Sequence, residues 1–147
     1  MLTDDVQQAM FQAMKARRAE EAAALRLVLS ALQSAAIDAR QDLSEEQAVA
    51  VLQREARKRR EAEQAYRDGG RVERAEREAF ERSVIERFLP ERLDPDELAR
   101  LVDEAVAATG ASGPRELGKV MGRLMPAVRG RADGNEVRRL VLERLGG

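Results

Sequence analysis

The sequence predicts an all-α protein made of two dissimilar helical bundles, with no β-sheet. Three observations lead there. Apolar residues recur at spacings of three and four along almost all of the 147 residues, which is the period of one helix face. Aromatics make up 3% of the chain and Trp is absent, so the core must come from Leu, Val, Ala and Met, which suits packed helices better than a β-sandwich. Caps and stops divide the pattern into helical lengths.

Thr3 is expected to cap a first helix, with Asp4 and Asp5 in its opening turn and Val6, Met10, Ala13 and Met14 on one face. A second helix starts near Glu20 and repeats Leu25, Val28, Leu29, Leu32 and Ala36. Ser44 and Gln47 form a capping box for a third. That helix is apolar at Val49 and Leu52, becomes densely charged, and stops at Gly69-Gly70, where glycine tolerates the left-handed conformation. A fourth runs from about Arg71 to Phe88 with Phe80, Val84 and Phe88 in register, and Pro90 ends it. The expected division is residues 1–89 and 90–147.

In the second part, Asp94-Pro95-Asp96-Glu97 supplies a cap, a proline at the first helical position and a glutamate three past the cap. Leu98, Leu101, Val102, Ala105 and Val106 follow as a stripe, stopped by Gly110. Ser112-Gly113-Pro114 opens the next helix, with Leu117, Val120, Met121, Leu124 and Met125 inward and Pro126 breaking or bending it. Asp133 and Glu136 are read as a capping box for a last helix bearing Val137, Leu140, Val141 and Leu145.

Charged residues reach 36%, yet the formal net charge is −1, so no global basic field exists. The distribution is uneven. Residues 90–111 hold six acids and two bases, whereas residues 112–147 hold eight bases and four acids. A phosphate-rich partner would feel that local excess. Cys and His are absent, which rules out disulfides, thiolate zinc sites and imidazole base catalysis. No metal site and no cofactor is expected. No signal-peptide core is seen and no run approaches the length of a membrane span, so the expected location is the cytoplasm, away from membranes.

Arg115, Lys119 and Arg123 repeat at four and form a cationic ridge. Arg129 and Arg131 flank Gly130 in the turn after Pro126, and Arg138 and Arg139 follow in the last helix. Ordinary solvated charge is the competing reading for each alone. Gly118 and Gly122 lie four apart and are read as close helix packing, with backbone approach to a ligand as the alternative. Gly113 to Lys119 fits the spacing of a phosphate-binding loop, but Val120 stands where a magnesium-binding hydroxyl is needed and no strand precedes it. The cluster Arg57-Lys58-Arg59-Arg60 alternates with Glu55, Glu61 and Glu63, as on a solvated helix face. Ser44 and Ser112 are read as caps, Tyr66 as packing, and no catalytic residues are identified.

Leu89-Pro90-Glu91-Arg92-Leu93, Thr109-Gly110-Ala111, Gly118-Lys119-Val120-Met121-Gly122 and Arg129-Gly130-Arg131-Ala132-Asp133-Gly134 together resemble the YqeY family of GatB/YqeY-type proteins, with a less specific match around Leu25-Arg26. The resemblance implies that the C-terminal bundle is similar to the tail domain of the B subunit of the Asp/Glu-tRNA amidotransferase, a module that contacts tRNA. Related domains are appended to a glutaminyl-tRNA synthetase. The implied function is a non-catalytic tRNA-binding accessory module, presenting Lys119, Arg123, Arg129 and Arg131 to the tRNA backbone with Arg115 and Arg138 in support. The alternatives are a protein-interaction module docking on a synthetase or amidotransferase through the charged third helix, or the carbon–nitrogen ligase activity with glutamine as amido-N-donor that labels the family. The amidotransferase's activating cradle and serine amidase subunit do not fit within this chain.

Overall fold

A computed structural model describes residues 1–146. Seven α-helices run in the order α1 (Leu2–Lys15), α2 (Ala19–Ala39), α3 (Glu45–Asp68), α4 (Val72–Glu86), α5 (Pro95–Thr109), α6 (Leu117–Val128) and α7 (Gly134–Arg144), with a short 3-10 turn at Pro114–Glu116 leading into α6. No strand occurs among the described residues, so the fold is all-α with two clusters of helices, α1–α4 and α5–α7. The chain divides into one compact unit ending at Pro90 and another beginning at Glu91.

In the first unit, Val6, Met10 and Ala13 of α1 pack with Leu25, Val28, Leu29 and Leu32 of α2, Val51 and Leu52 of α3, and Val84 and Ile85 of α4. Thr3 is not the cap of α1: the helix begins at Leu2, whose N–H donates to the Glu45 carboxylate at 3.1 Å, so a side chain from another helix caps it. Starting two residues earlier adds Leu2 to the buried stripe of Val6, Met10 and Ala13, while Met14 stays 48% exposed. The Ser44–Gln47 capping box forms in both directions, at 2.9 and 3.1 Å. Gly70 takes φ +74° after α3 and Arg71 N–H closes the stop on Tyr66 O at 2.8 Å. By contrast, the turns after α1 and α2 place Arg17 and Arg40 at φ +57° and +56°, where no glycine marks the stop.

Helices α3 and α4 form an antiparallel hairpin whose base is apolar and whose outer part is joined by ions. Arg59 reaches Glu55 and Glu81 at 3.3 Å, and Arg82 reaches Glu63 at 2.5 Å. The intrahelical pairs Lys58–Glu55 and Arg67–Glu63 agree with the charged alternation, whereas the cross-helix pairs need the hairpin to exist. Arg74 lies 5.9 Å from the Tyr66 ring centroid, a cation–π contact. Phe80 is not a core residue. It stays 36% exposed, and Ala75, Val84 and Ile85 are the residues buried on α4.

One expectation about α2 is overturned. By length and composition α2 is apolar enough to cross a membrane, because alanines add to its Leu and Val residues. One face of it belongs to the unit core, and the opposite face is exposed.

In the second unit, Leu98, Val102 and Ala105 of α5 meet Val120, Leu124 and Val128 of α6 and Val137, Val141 and Leu145 of the last helix and its end. Asp94 accepts from Asp96 N–H and Asp133 from Asn135 N–H, both at 2.8 Å, each capping its helix. Gly110 stops α5 at φ +66°. Pro126 does not break α6, which continues to Val128. In the last turn only one ladder bond is lost, and Arg129 N–H still donates to Met125 O at 2.8 Å.

Candidate nucleic-acid interface

α6 sets the geometry. Val120, Leu124 and Val128 bury one side, and the 100° step per residue turns Gly118, Lys119, Gly122, Arg123 and Pro126 to solvent. Two ridges run side by side there. One carries Arg115, Lys119 and Arg123, all exposed and with no hydrogen-bond or ion-pair partner among the described residues. The other is Gly118, Gly122 and Pro126.

The expectation that these glycines mediate helix packing fails. Both are exposed, and a Cβ added at either would meet nothing within 4 Å. Helix packing requires a neighbouring helix across the glycine, and here the neighbours contact the opposite side of α6. Each glycine costs about 1 kcal/mol against alanine in a helix interior, and no packing within the unit offsets that.

Ser112 does not cap α6 with its hydroxyl. Its N–H donates to the Glu116 carboxylate at 2.6 Å and its Oγ lies 3.5 Å from the same oxygen. The Ser112 N–H, with Lys119 nearby, holds the Glu116 carboxyl below the usual range. A carboxylate therefore occupies the start of α6. Gly118 and Lys119 are helical, so the phosphate-loop spacing carries no such loop.

The other predicted cations divide. Arg131 is half-buried: its Nε donates to Glu91 O at 3.0 Å, and its carbonyl accepts from Leu93 N–H at 2.8 Å. It ties the turn after α6 to the segment entering α5, so it is first a structural residue. Arg129 is exposed at the end of α6 and keeps an interaction of its own. Arg138 is exposed on α7 and has no partner among the described residues, while Arg139 pairs with Glu143 and Arg144 with Asp103, both at 2.7 Å. The Arg131 tie also sets exposed Arg92 next to this turn. Sequence reasoning passed over Arg92 as a binding residue; its only signal was its place beside Pro90.

No group of three or more Asp or Glu residues able to hold a metal ion occurs among the described residues. The other shifted carboxyls lie on the charged faces of α3 and α4. Hydrogen bonds from Arg67 and Arg82 lower Glu63, and burial beside Glu81 raises Glu78. Taken together, the second unit offers a cationic ridge beside a ridge of two glycines and a proline, with a second cationic group at the Arg131 turn. A family model described as Yqey-like protein matches residues 3–145. No curated protein matches the chain.

Proposed function

Because this chain belongs to the Yqey-like family, we propose that it is a cytoplasmic, non-catalytic tRNA-binding accessory module of aminoacylation or transamidation. In this reading residues 90–147 serve as the counterpart of the amidotransferase tail domain. The observation that carries it is the exposed face of α6. Arg115 and Arg123 have no hydrogen-bond or ion-pair partner among the described residues, Lys119 feels the Glu116 carboxylate without bonding to it, and the adjacent glycines let a polynucleotide backbone approach without meeting a side chain. Phosphates supply affinity and A-form shape supplies selectivity, since the second unit contains no Phe, Tyr or Trp on which to stack a base. Arg129, Arg138 and Arg92 add to the field, and Arg131 positions the turn.

The reading in which α3 docks on a synthetase or amidotransferase draws less support, because Lys58, Arg59 and Arg67 are committed to pairs within the hairpin. The ligase activity of the larger enzyme is attributed to its other parts. A gel-shift with total tRNA at several salt concentrations, comparing wild type with Lys119→Ala/Arg123→Ala, tests the proposal. The variant should lose most of its affinity while keeping the wild-type helical spectrum. Unchanged binding would return the ridge to ordinary surface.

A further inference from the structure

The exposed face of α2 carries an unpartnered stripe of apolar and small residues. Ala23, Leu27, Ser30, Ser34 and Ile37 alternate at spacings of four and three, the seam spacing of a helix that packs along another helix. Leu27 is 50% exposed and Ile37 is 74% exposed. At 1.5 Å per residue the stripe is roughly 21 Å long. At its N-terminal end it opens into a groove of about 550 Å³ between α2 and α4, lined among others by Ala23, Phe80, Glu20, Glu73 and Glu76.

The two ends of the stripe complement each other. Ala23 and Ile37 are equally far from Ser30, and so are Glu20 and Arg40. If a second α2 is laid antiparallel with Ser30 on the two-fold axis, Ile37 of each copy meets the Ala23–Phe80 groove of the other. The same operation brings Arg40 towards the acids Glu20, Glu73 and Glu76, none of which has an ion-pair partner among the described residues. Asp38 meanwhile approaches the groove's Arg74 and Arg77. An isologous contact requires such self-complementarity. A lipid surface fits less well, because two serines interrupt the stripe and carboxylates surround its groove end. We propose that α2 is a homodimerisation face, paired antiparallel about Ser30.

The chain contains no cysteine, which makes the register directly testable. A Ser30→Cys variant places two thiols together at the axis and should form a disulfide-linked dimer under mild oxidation. Ser34→Cys lies on the same face but roughly 6 Å along the axis from the two-fold, so its copies are about 12 Å apart, beyond disulfide reach. It should not cross-link. Light scattering over a concentration series should show twice the chain mass for wild type and the monomer mass for Ile37→Glu, with unchanged circular dichroism because Ile37 is so exposed. Glu20→Arg and Arg40→Glu should each weaken the dimer at least about tenfold, and the double variant should restore it. A wild-type monomer at every concentration overturns the proposal, even if that monomer binds vesicles or another protein through α2. So does a dimer indifferent to Ile37→Glu, or one in which Ser30→Cys cross-links no better than Ser34→Cys. The tRNA gel-shift of the α6 variants is independent of all these outcomes.

Discussion

Replacing Gly118 and Gly122 together by alanine should stabilise the fold and impair tRNA binding at once. Both glycines are helical, both are exposed, and the added methyl groups meet nothing within 4 Å. Alanine gains about 0.8–1 kcal/mol over glycine at an interior helix position; Gly122 is interior and Gly118 lies in the first turn, so the pair should gain about 1–1.5 kcal/mol. For a unit of this size that corresponds to a rise in Tm of several degrees. On the binding side, the methyl groups hold a polynucleotide backbone off the ridge. A lost contact of about 1.4 kcal/mol weakens binding tenfold. Urea unfolding followed by circular dichroism reads the first effect, and the tRNA gel-shift reads the second. A stabilised variant that binds as well as wild type would refute the glycine ridge as a contact surface. A destabilised variant would revive helix packing as the reason for these glycines.

Arg131→Ala should cost about 1 kcal/mol of stability by removing the bond to Glu91 O, whereas Lys119→Ala and Arg123→Ala should be near neutral. Denaturant midpoints separate the two kinds of cation. Arg17→Gly should stabilise the first unit by about 0.5–1 kcal/mol, because glycine relieves the strain at φ +57°; a lower midpoint would contradict this. The carboxyl shifts predict opposite pH behaviour. Glu63, lowered from 4.5 by its arginine bonds, contributes stability present above its unfolded pKa and lost as pH falls through the lower folded value. Glu63→Gln should therefore reduce stability at neutral pH, with the deficit disappearing in acid. Glu78 is raised by burial, so its ionisation weakens the fold as pH rises through the unfolded and then the folded pKa. Glu78→Gln should stabilise at neutral pH, with the gain disappearing in acid.

The helices and their stops were legible wherever the information was local. The Ser44–Gln47 box, the Asp94-Pro95 start and the glycines at 70 and 110 depend on a few adjacent residues, and the apolar period reports which face is buried. What could not be read depends on distant partners. Glu45 caps α1 across 43 residues, Arg59 and Arg82 find carboxylates only once α3 and α4 lie side by side, and Arg131 holds the segment around Glu91. The site was half legible. Spacing put Arg115, Lys119 and Arg123 on one ridge, but which cations are internally committed, and what faces the two glycines, are properties of packing. Membrane-like hydropathy in α2 was missed because its charged residues sit mostly at the ends, leaving a long alanine-rich centre.

The salt dependence of tRNA affinity tests the central claim most directly. Three ridge cations imply roughly three released counterions, so a plot of log affinity against log salt for wild type should have a slope of about −2 to −3. In the Lys119→Ala/Arg123→Ala variant the slope should flatten to about −1 and affinity should fall for all tRNAs alike. An unchanged slope and affinity in a folded variant would contradict the account.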